Sequence, residues 1–566
     1  MPETSLPFGF YRIAEADPDR RAVIDTDGTV TTFGELLARV NQVSHGLRAR
    51  GLGKGDVVAG VLPNGLDAVV MLMATGQVEL YYVPVNWHLT AAEIDYIVAD
   101  CDAKVVVGDR AHPAENATED PAEPATGRPA EPATGPTAAV TGPAARQPVT
   151  ATESAAEQPV IATGATAGRS VTVPEATAGR SVTAAEADAR QFVTVSDLAE
   201  GQPVTAPEGR SSGAVMWYTS GTTGFPKGVQ RPLSGREPEA AIPLATWFLG
   251  EICDLRPGDE IHLVTSPMYH SAPCAHTLFA LHLGHTLVIT PRFEPVSILE
   301  LIEKHRVTNA MMVPTMFHRM LRLPPEVRER YDVSSLRQVI HTGAACPVAV
   351  KKGIMDWWGP VLYEYYGSTE SAIAFSIKPH DWLEHPGTVG RPVPGFEARI
   401  LDADGEELPP GEPGMIYVKS GQGGFQYRKD PEKTASSMRG EWYAPGDIGF
   451  MDKDGFLFLC DRRTDLIISG GVNIYPAEIE AALLEHPSVA DVAVIGVPDE
   501  EWGHNVVALI QPVPGSRPSP DELLEHLGPR IARFKHPKVV EFRDELPRTP
   551  TGKLSRSRVR EEYLAR

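Results

Sequence analysis

Between Tyr218 and Gly228 the chain reads YTSGTTGFPKG, which gathers three glycines, four small hydroxyl residues and a lysine. Glycines at 221, 224 and 228 let backbone N–H groups approach a ligand with no Cβ in the way. Thr219, Ser220, Thr222 and Thr223 add hydroxyl donors, and Lys227 adds a positive charge. Together these groups make a nest suited to phosphate oxygens. The spacing is not that of the G-x-x-x-x-G-K-[ST] loop, because no Gly-Lys-Ser/Thr step occurs here. Ser220 does not stand in G-x-S-x-G either, so it is not the nucleophile of a hydrolase elbow. A solvated turn would account for the glycines, but not for the hydroxyls and lysine that follow a buried strand.

This loop resembles the phosphate-binding signature of the adenylate-forming superfamily, which includes acyl-CoA synthetases, adenylation domains of nonribosomal peptide synthetases, and luciferase. Four more stretches resemble family elements in the same order: YEYYGSTES from Tyr363, YAPGDIGF from Tyr443, DRRTDLIISGGVNIYPAEIE from Asp461 and PRTPTGKLSR from Pro547. The resemblance covers nearly the whole chain. It implies that ATP and a carboxylate form an acyl-adenylate and pyrophosphate, after which a thiol, usually coenzyme A, displaces AMP. Such chemistry brings anions together and needs preorganised positive charge more than a protein nucleophile.

By the same resemblance, Thr219, Ser220, Gly221, Thr222, Thr223, Gly224 and Lys227 hold the β- and γ-phosphates. Thr369 touches the α-phosphate and Glu370 ligates Mg²⁺, a hard cation suited to a carboxylate oxygen. Tyr366, followed by Gly367, stacks on adenine, although an aromatic here also suits a core. Asp447 accepts the ribose hydroxyls, and Arg462 reaches the ribose as well. Lys553 bridges the carboxylate and the α-phosphate. Rotation of the C-terminal domain then carries Lys553 away, and the strand end at Gly470 and Gly471 replaces it and opens a passage for pantetheine. The hinge position is Thr464, where the family usually has Asp or Lys. A β-branched residue is stiffer, so slower rotation is expected, but hinges are not confined to particular residue types.

For the acid, the resemblance points to PMYHSAP, with His270 after Tyr269, and to HTGAACP, with Gly343 and Ala344. Relatives that activate amino acids carry an Asp beside the aromatic to pair with the substrate ammonium. Here that place is His270, and a buried ammonium without a counter-charge would be costly, so α-amino acids are disfavoured. His270 as a packed core histidine remains open. The small residues at Gly343–Ala345 leave room for a bulky apolar acyl group. The wording as a whole is similar to fatty-acid and steroid-acid CoA ligases of high-GC bacteria. A medium- or long-chain fatty acid is therefore expected, with aryl and sterol-side-chain acids behind it. An acyl-AMP ligase that loads a carrier protein and a catalytically silent binding protein are the rivals. Cys274, His276, His282 and His285 lack the paired spacing of a zinc site.

The elements that must position these residues alternate in type. Phe33, Leu36, Leu37, Val40, Val43 and Leu47 fall at helical spacing before Gly51. The run at Val57 reads as a buried strand, AVVMLMATGQV as a helix, the run at Tyr81 as a strand, the stretch from Thr90 as a helix and KVVVGD as a strand. Such alternation predicts helix-covered parallel sheets, an α/β fold. GAVMWYTS reads as a single strand feeding the phosphate loop. Asp-Gly turns in DADGEEL and MDKDGFLFLC indicate hairpins, expected in a β-barrel-like subdomain. A small, mobile α+β C-terminal domain is expected over 464–566, after an N-terminal domain over 1–463. Residues 111–190 repeat PAEPATG and ATAGRSVT, are nearly free of aromatics, and read as a disordered insertion.

Bulk composition narrows the classes. A chain of 566 residues suggests three or four folding units, at roughly 150 residues each. Asp and Glu number 74 against 52 Lys and Arg, a formal charge of −22. Such a surface disfavours nucleic acid and anionic membranes. The five cysteines are scattered and odd in number, which points to a reducing compartment. MPETSLPFGF lacks a basic segment followed by an apolar one, and no apolar run reaches the roughly 18 residues of a membrane span. A soluble cytoplasmic enzyme is expected, taking a carboxylic acid, ATP and coenzyme A, with no nucleic-acid partner.

Overall fold

In a computed structural model, the structure describes residues 9–108, 192–219, 226–421, 424–469, 472–499, 502–549 and 553–566. Residues 111–190, read above as an insertion, lie outside them. Strand counts below refer to the described residues.

The first hundred residues fold as their periodicity predicts. Phe33–Ala49 is a helix opened by a capping box, in which Thr32 accepts from the Glu35 backbone and Glu35 accepts from the Thr32 backbone. Phe33, Leu36, Val40, Val43 and Leu47 are fully buried, and Leu37 packs partly buried against the same core. The strand Val57–Val61 is buried at every position, as expected for a strand covered on both faces of a parallel sheet. Leu66–Gly76 and Ala91–Asp100 are helices, and Tyr81–Pro84 and Ala103–Gly108 are strands.

These strands belong to a five-stranded parallel sheet. A second, nine-stranded sheet carries Leu362–Ser368, Gln338–His341, Asn309–Met312, Ile261–Val264, Thr286–Ile289 and Arg21–Ile24 in parallel, with antiparallel strands at its edges. GAVMWYTS is not one strand. Ala214–Val215 pairs with Tyr81–Pro84 in the five-stranded sheet, whereas Trp217–Thr219 pairs with Lys227–Gln230 in a separate three-stranded sheet. Met216 sits fully buried between the two segments, so the chain changes sheets just before the phosphate loop.

A six-stranded antiparallel sheet lies where the β-barrel-like subdomain is expected. Within it, Asp447–Met451 and Leu457–Arg462 form the hairpin signalled by MDKDG. A small C-terminal domain follows the large one, with a core of its own that includes Ile474, Ile479, Leu483, Val494 and Ala508. Its strands Val489–Asp499 and Gly503–Pro512 run antiparallel, and Val539–Phe542 adds in parallel. The small domain rests against the large one, where His318 meets the Ala490 carbonyl at 3.1 Å and Arg322 donates to the Val489 carbonyl.

Candidate active site

The hairpin of Trp217–Thr219 and Lys227–Gln230 pins the mouth of the glycine-hydroxyl loop, because Thr219 stands opposite Lys227. Ser220, Gly221, Thr222, Thr223 and Gly224 lie outside the described residues. The Lys227 ammonium donates to Asp430 Oδ2 at 2.6 Å. Asp430 Oδ1 accepts from the Lys433 backbone at 2.8 Å, so this carboxylate both starts a short helix and holds the loop lysine.

The Thr369–Glu370 turn joins Leu362–Ser368 to the antiparallel strand Ala372–Ile377. Gly367 is required by packing: a Cβ there would lie 1.9 Å from the Ala372 carbonyl oxygen. Its part in the site is therefore to let the turn close, and no side chain could be accommodated. Glu370 Oε1 accepts from the Tyr427 hydroxyl at 2.9 Å. The Arg231 guanidinium donates to the carbonyls of Thr369 at 3.1 Å and Glu370 at 2.7 Å. Thr369 Oγ1 lies 3.4 Å from Ser271 Oγ, next to His270.

Asp447 and Arg462 are cross-strand partners in their hairpin, and Arg462 Nε lies 3.3 Å from Asp447 Oδ1. The Tyr366 hydroxyl donates to Asp447 Oδ2 at 2.6 Å. Tyr366 is mostly buried, with its ring 5.9 Å from that of Phe375, so it serves the core as well as the site. Each carboxylate oxygen of Asp447 still has a second lone pair to offer.

Lys553 comes from the far end of the chain. Its backbone N–H donates to Thr549 Oγ1 at 3.1 Å and its carbonyl accepts from the Thr549 N–H at 2.8 Å, which holds the two residues together. The residue as a whole is exposed, yet desolvation by the protein around its ammonium and the Arg462 charge push it down to about 8, against the pull of Asp447 and Asp465. His270 is held at about 4, by burial first and by the Lys553 charge second. Lys553 from the small domain is thus within electrostatic reach of His270, Asp447 and Arg462 from the large one.

His270 is neutral at ordinary pH, and its Nε2 and the Tyr269 hydroxyl are buried with no hydrogen-bond partner among the described residues. Gly343 and Ala344 form an exposed turn after Gln338–His341, and Gly343 has φ +87°, a left-handed conformation suited to glycine. Thr464 is exposed, with its hydroxyl 3.4 Å from Asp465 Oδ1. Gly470 and Gly471 lie outside the described residues. Cys274, His276, His282 and His285 are buried but have separate surroundings. His282 Nδ1 accepts from the Phe10 N–H, His285 Nε2 donates to the Arg256 carbonyl, and His276 stacks on Tyr365.

Among the described residues no group of three or more His, Cys, Asp or Glu could hold a metal. Mg²⁺ needs no such cage, since one or two carboxylates and substrate phosphates commonly hold it. Glu370 with the Thr369 hydroxyl supplies hard oxygens of that kind and fits the ion. Sequence reasoning missed Arg231, Tyr427 and Asp430. Alternation carried one residue past the strand Lys227–Gln230 would put Arg231 in line with Lys227, which was a signal for it. Tyr427 and Asp430 gave none, because their partners are distant in the chain.

The AMP-binding enzyme family model matches residues 10–426, and the model of the AMP-binding enzyme C-terminal domain matches 478–553. A feruloyl-CoA synthase of Amycolatopsis is 34% identical over 544 residues, covering 95% of this chain and 94% of that protein. A long-chain-fatty-acid–CoA ligase of Mycobacterium tuberculosis is 30% identical over 555 residues, covering 98% and 97%. Among solved structures, ATP-bound MatB from Rhodopseudomonas palustris superposes with a TM-score of 0.76 at 28% identity, covering 98% of both chains. With both family models matched in order along the chain, this protein belongs to the AMP-binding enzyme family of adenylate-forming acid ligases.

Proposed function

We propose that this chain joins a carboxylic acid to AMP with ATP and then passes the acyl group to coenzyme A. The observation that supports the reading is that Lys553 feels the charges of Asp447 and Arg462 and His270 feels that of Lys553, although Lys553 comes from the far end of the chain. In this arrangement the Lys553 ammonium stands between the acid pocket and the ribose side of the nucleotide. It screens the approach of carboxylate to α-phosphate and stabilises charge as the phosphorus is attacked. Lys227 and the hydroxyls around it take the leaving pyrophosphate, and Asp447 with Arg462 orients the ribose. Mg²⁺, when bound at Glu370, neutralises phosphate charge. His270 stays neutral, so it offers the carboxylate a hydrogen bond without competing for it as a second cation. We take residues 1–463 and 464–566 as the two domains, with Thr464 between them.

A medium- or long-chain fatty acid is our first choice of substrate. Its support is the small-residue turn at Gly343–Ala345 and the similarity to fatty-acid ligases. A hydroxycinnamate is the second reading, supported by the similarity to feruloyl-CoA synthase over almost the whole chain. ATP–pyrophosphate exchange with octanoate, palmitate, ferulate, indoleacetate and a sterol-side-chain acid separates them. Exchange driven most strongly by the fatty acids, followed by acyl-CoA formation with free coenzyme A, is the expected result. Preference for ferulate moves the assignment to the aryl class, and exchange with none of them removes the activity.

A further inference from the structure

We propose that Arg231 is a positioning residue for Glu370, setting where that carboxylate meets the nucleotide; the proposal rests on the adenylation reading above. One guanidinium nitrogen of Arg231 donates to two successive carbonyls, those of Thr369 and Glu370. Fixing both carbonyls toward one cation fixes the rotation of the peptide between them, and so the direction in which the Glu370 side chain leaves the turn. Arg231 is partly buried and its hydrogen bonds to the turn are part-buried, so the two carbonyls stand in for lost water at its charge.

Arg231 has a firm base. Its carbonyl accepts from the Tyr81 hydroxyl at 2.8 Å, which ties it to the five-stranded sheet. It also directly follows the strand Lys227–Gln230, so the arm that holds the Glu370 turn is continuous with the strand that closes the phosphate loop. A second brace comes from the same small sheet. Tyr427 pairs with Val229 in register, and its hydroxyl donates to Glu370 Oε1. The three-stranded sheet therefore sets the relative position of the phosphate loop and the candidate Mg²⁺ carboxylate. Partners that orient a metal ligand typically matter by about 10- to 100-fold when removed.

The test compares Arg231→Met and Arg231→Lys with the parent, each with and without Glu370→Gln. In ATP–pyrophosphate exchange, Arg231→Met should lower kcat about 10- to 100-fold, raise the Mg²⁺ concentration for half-maximal rate, and leave the KM for the acid unchanged. Arg231→Lys, which keeps the charge on a shorter, more flexible stem, should fall between. In the Glu370→Gln background the Arg231→Met effect should nearly vanish, because no carboxylate is left to place. Calorimetry of ATP binding with and without Mg²⁺ reads the same placement without turnover. Arg231→Met should weaken binding about tenfold with Mg²⁺ present and little in its absence. An Arg231 effect of equal size with and without Glu370, or ATP binding weakened equally with and without Mg²⁺, overturns the proposal. If Arg231→Met does not fold, Arg231→Lys in calorimetry carries the same two outcomes. A parent that binds Mg·ATP but catalyses no exchange defeats the adenylation reading and leaves the calorimetric comparison decisive for Arg231.

Discussion

Lys553 carries its charge where the surroundings resist it. Burial and the nearby Arg462 disfavour the ammonium, which is held at about 8 instead of its usual value above ten. A lysine with a lowered pKa loses its proton as pH rises through that value. The acid kcat/KM for adenylation, which reports the free enzyme, should therefore fall above about pH 8. Arg462→Gln removes a repelling charge and should move this alkaline limb upward, whatever it does to the rate at its maximum. A limb that stays in place would mean another group controls it. Lys553→Ala should reduce adenylation by about 100- to 1000-fold, the scale of losing one charge-stabilising donor, while thioester formation from supplied acyl-AMP persists. Equal losses in the two half-reactions would show that the lysine acts in both.

The helix Val348–Trp358 is joined to the strand Leu362–Ser368 by a buried ion pair. Lys351 Nζ donates to Glu364 Oε2 at 2.6 Å, and the ammonium also sits 4.6 Å from the centre of the Trp382 ring. Burial pushes the Glu364 carboxyl up, and Lys351 opposes this. The same strand runs through Tyr366 and Gly367 into the Thr369–Glu370 turn, so the pair anchors the element that presents Glu370. Lys351→Met strands a buried carboxylate and should cost about 3–5 kcal/mol of stability. Lys351→Met with Glu364→Leu should recover most of that loss, since a buried pair is often replaceable by apolar groups. Chemical denaturation of the two variants measures the difference, and a double variant as unstable as the single one would contradict this account.

At the scale of the molecule, the proposed site draws on residues from both the large and the small domain. Arg556 sits at that border and pairs with Glu480 at 2.5 Å and Asp465 at 3.0 Å, with Asp461 at 3.8 Å. It lies three residues beyond Lys553, so it steadies the segment that carries this lysine, which under the proposed reading serves adenylation. Arg556→Ala should depress adenylation more than the thiol step, as the ratio of the two half-reaction rates would show. An unchanged ratio would separate Arg556 from the delivery of Lys553.

Taken alone, the sequence determined what local pattern can carry. Helix and strand periods fixed Phe33–Ala49 and Val57–Val61, and the short signatures fixed the family, because each depends on neighbours within one turn or strand. The contacts that assemble the site were decided by tertiary structure. Lys227 finds Asp430, Arg231 finds Thr369 and Glu370, and Tyr366 finds Asp447 across separations of 203, 138 to 139, and 81 residues. No spacing rule reaches that far. The split of GAVMWYTS between two sheets has the same origin: each half has strand-forming residues, and only the neighbours available for pairing determine which sheet it joins.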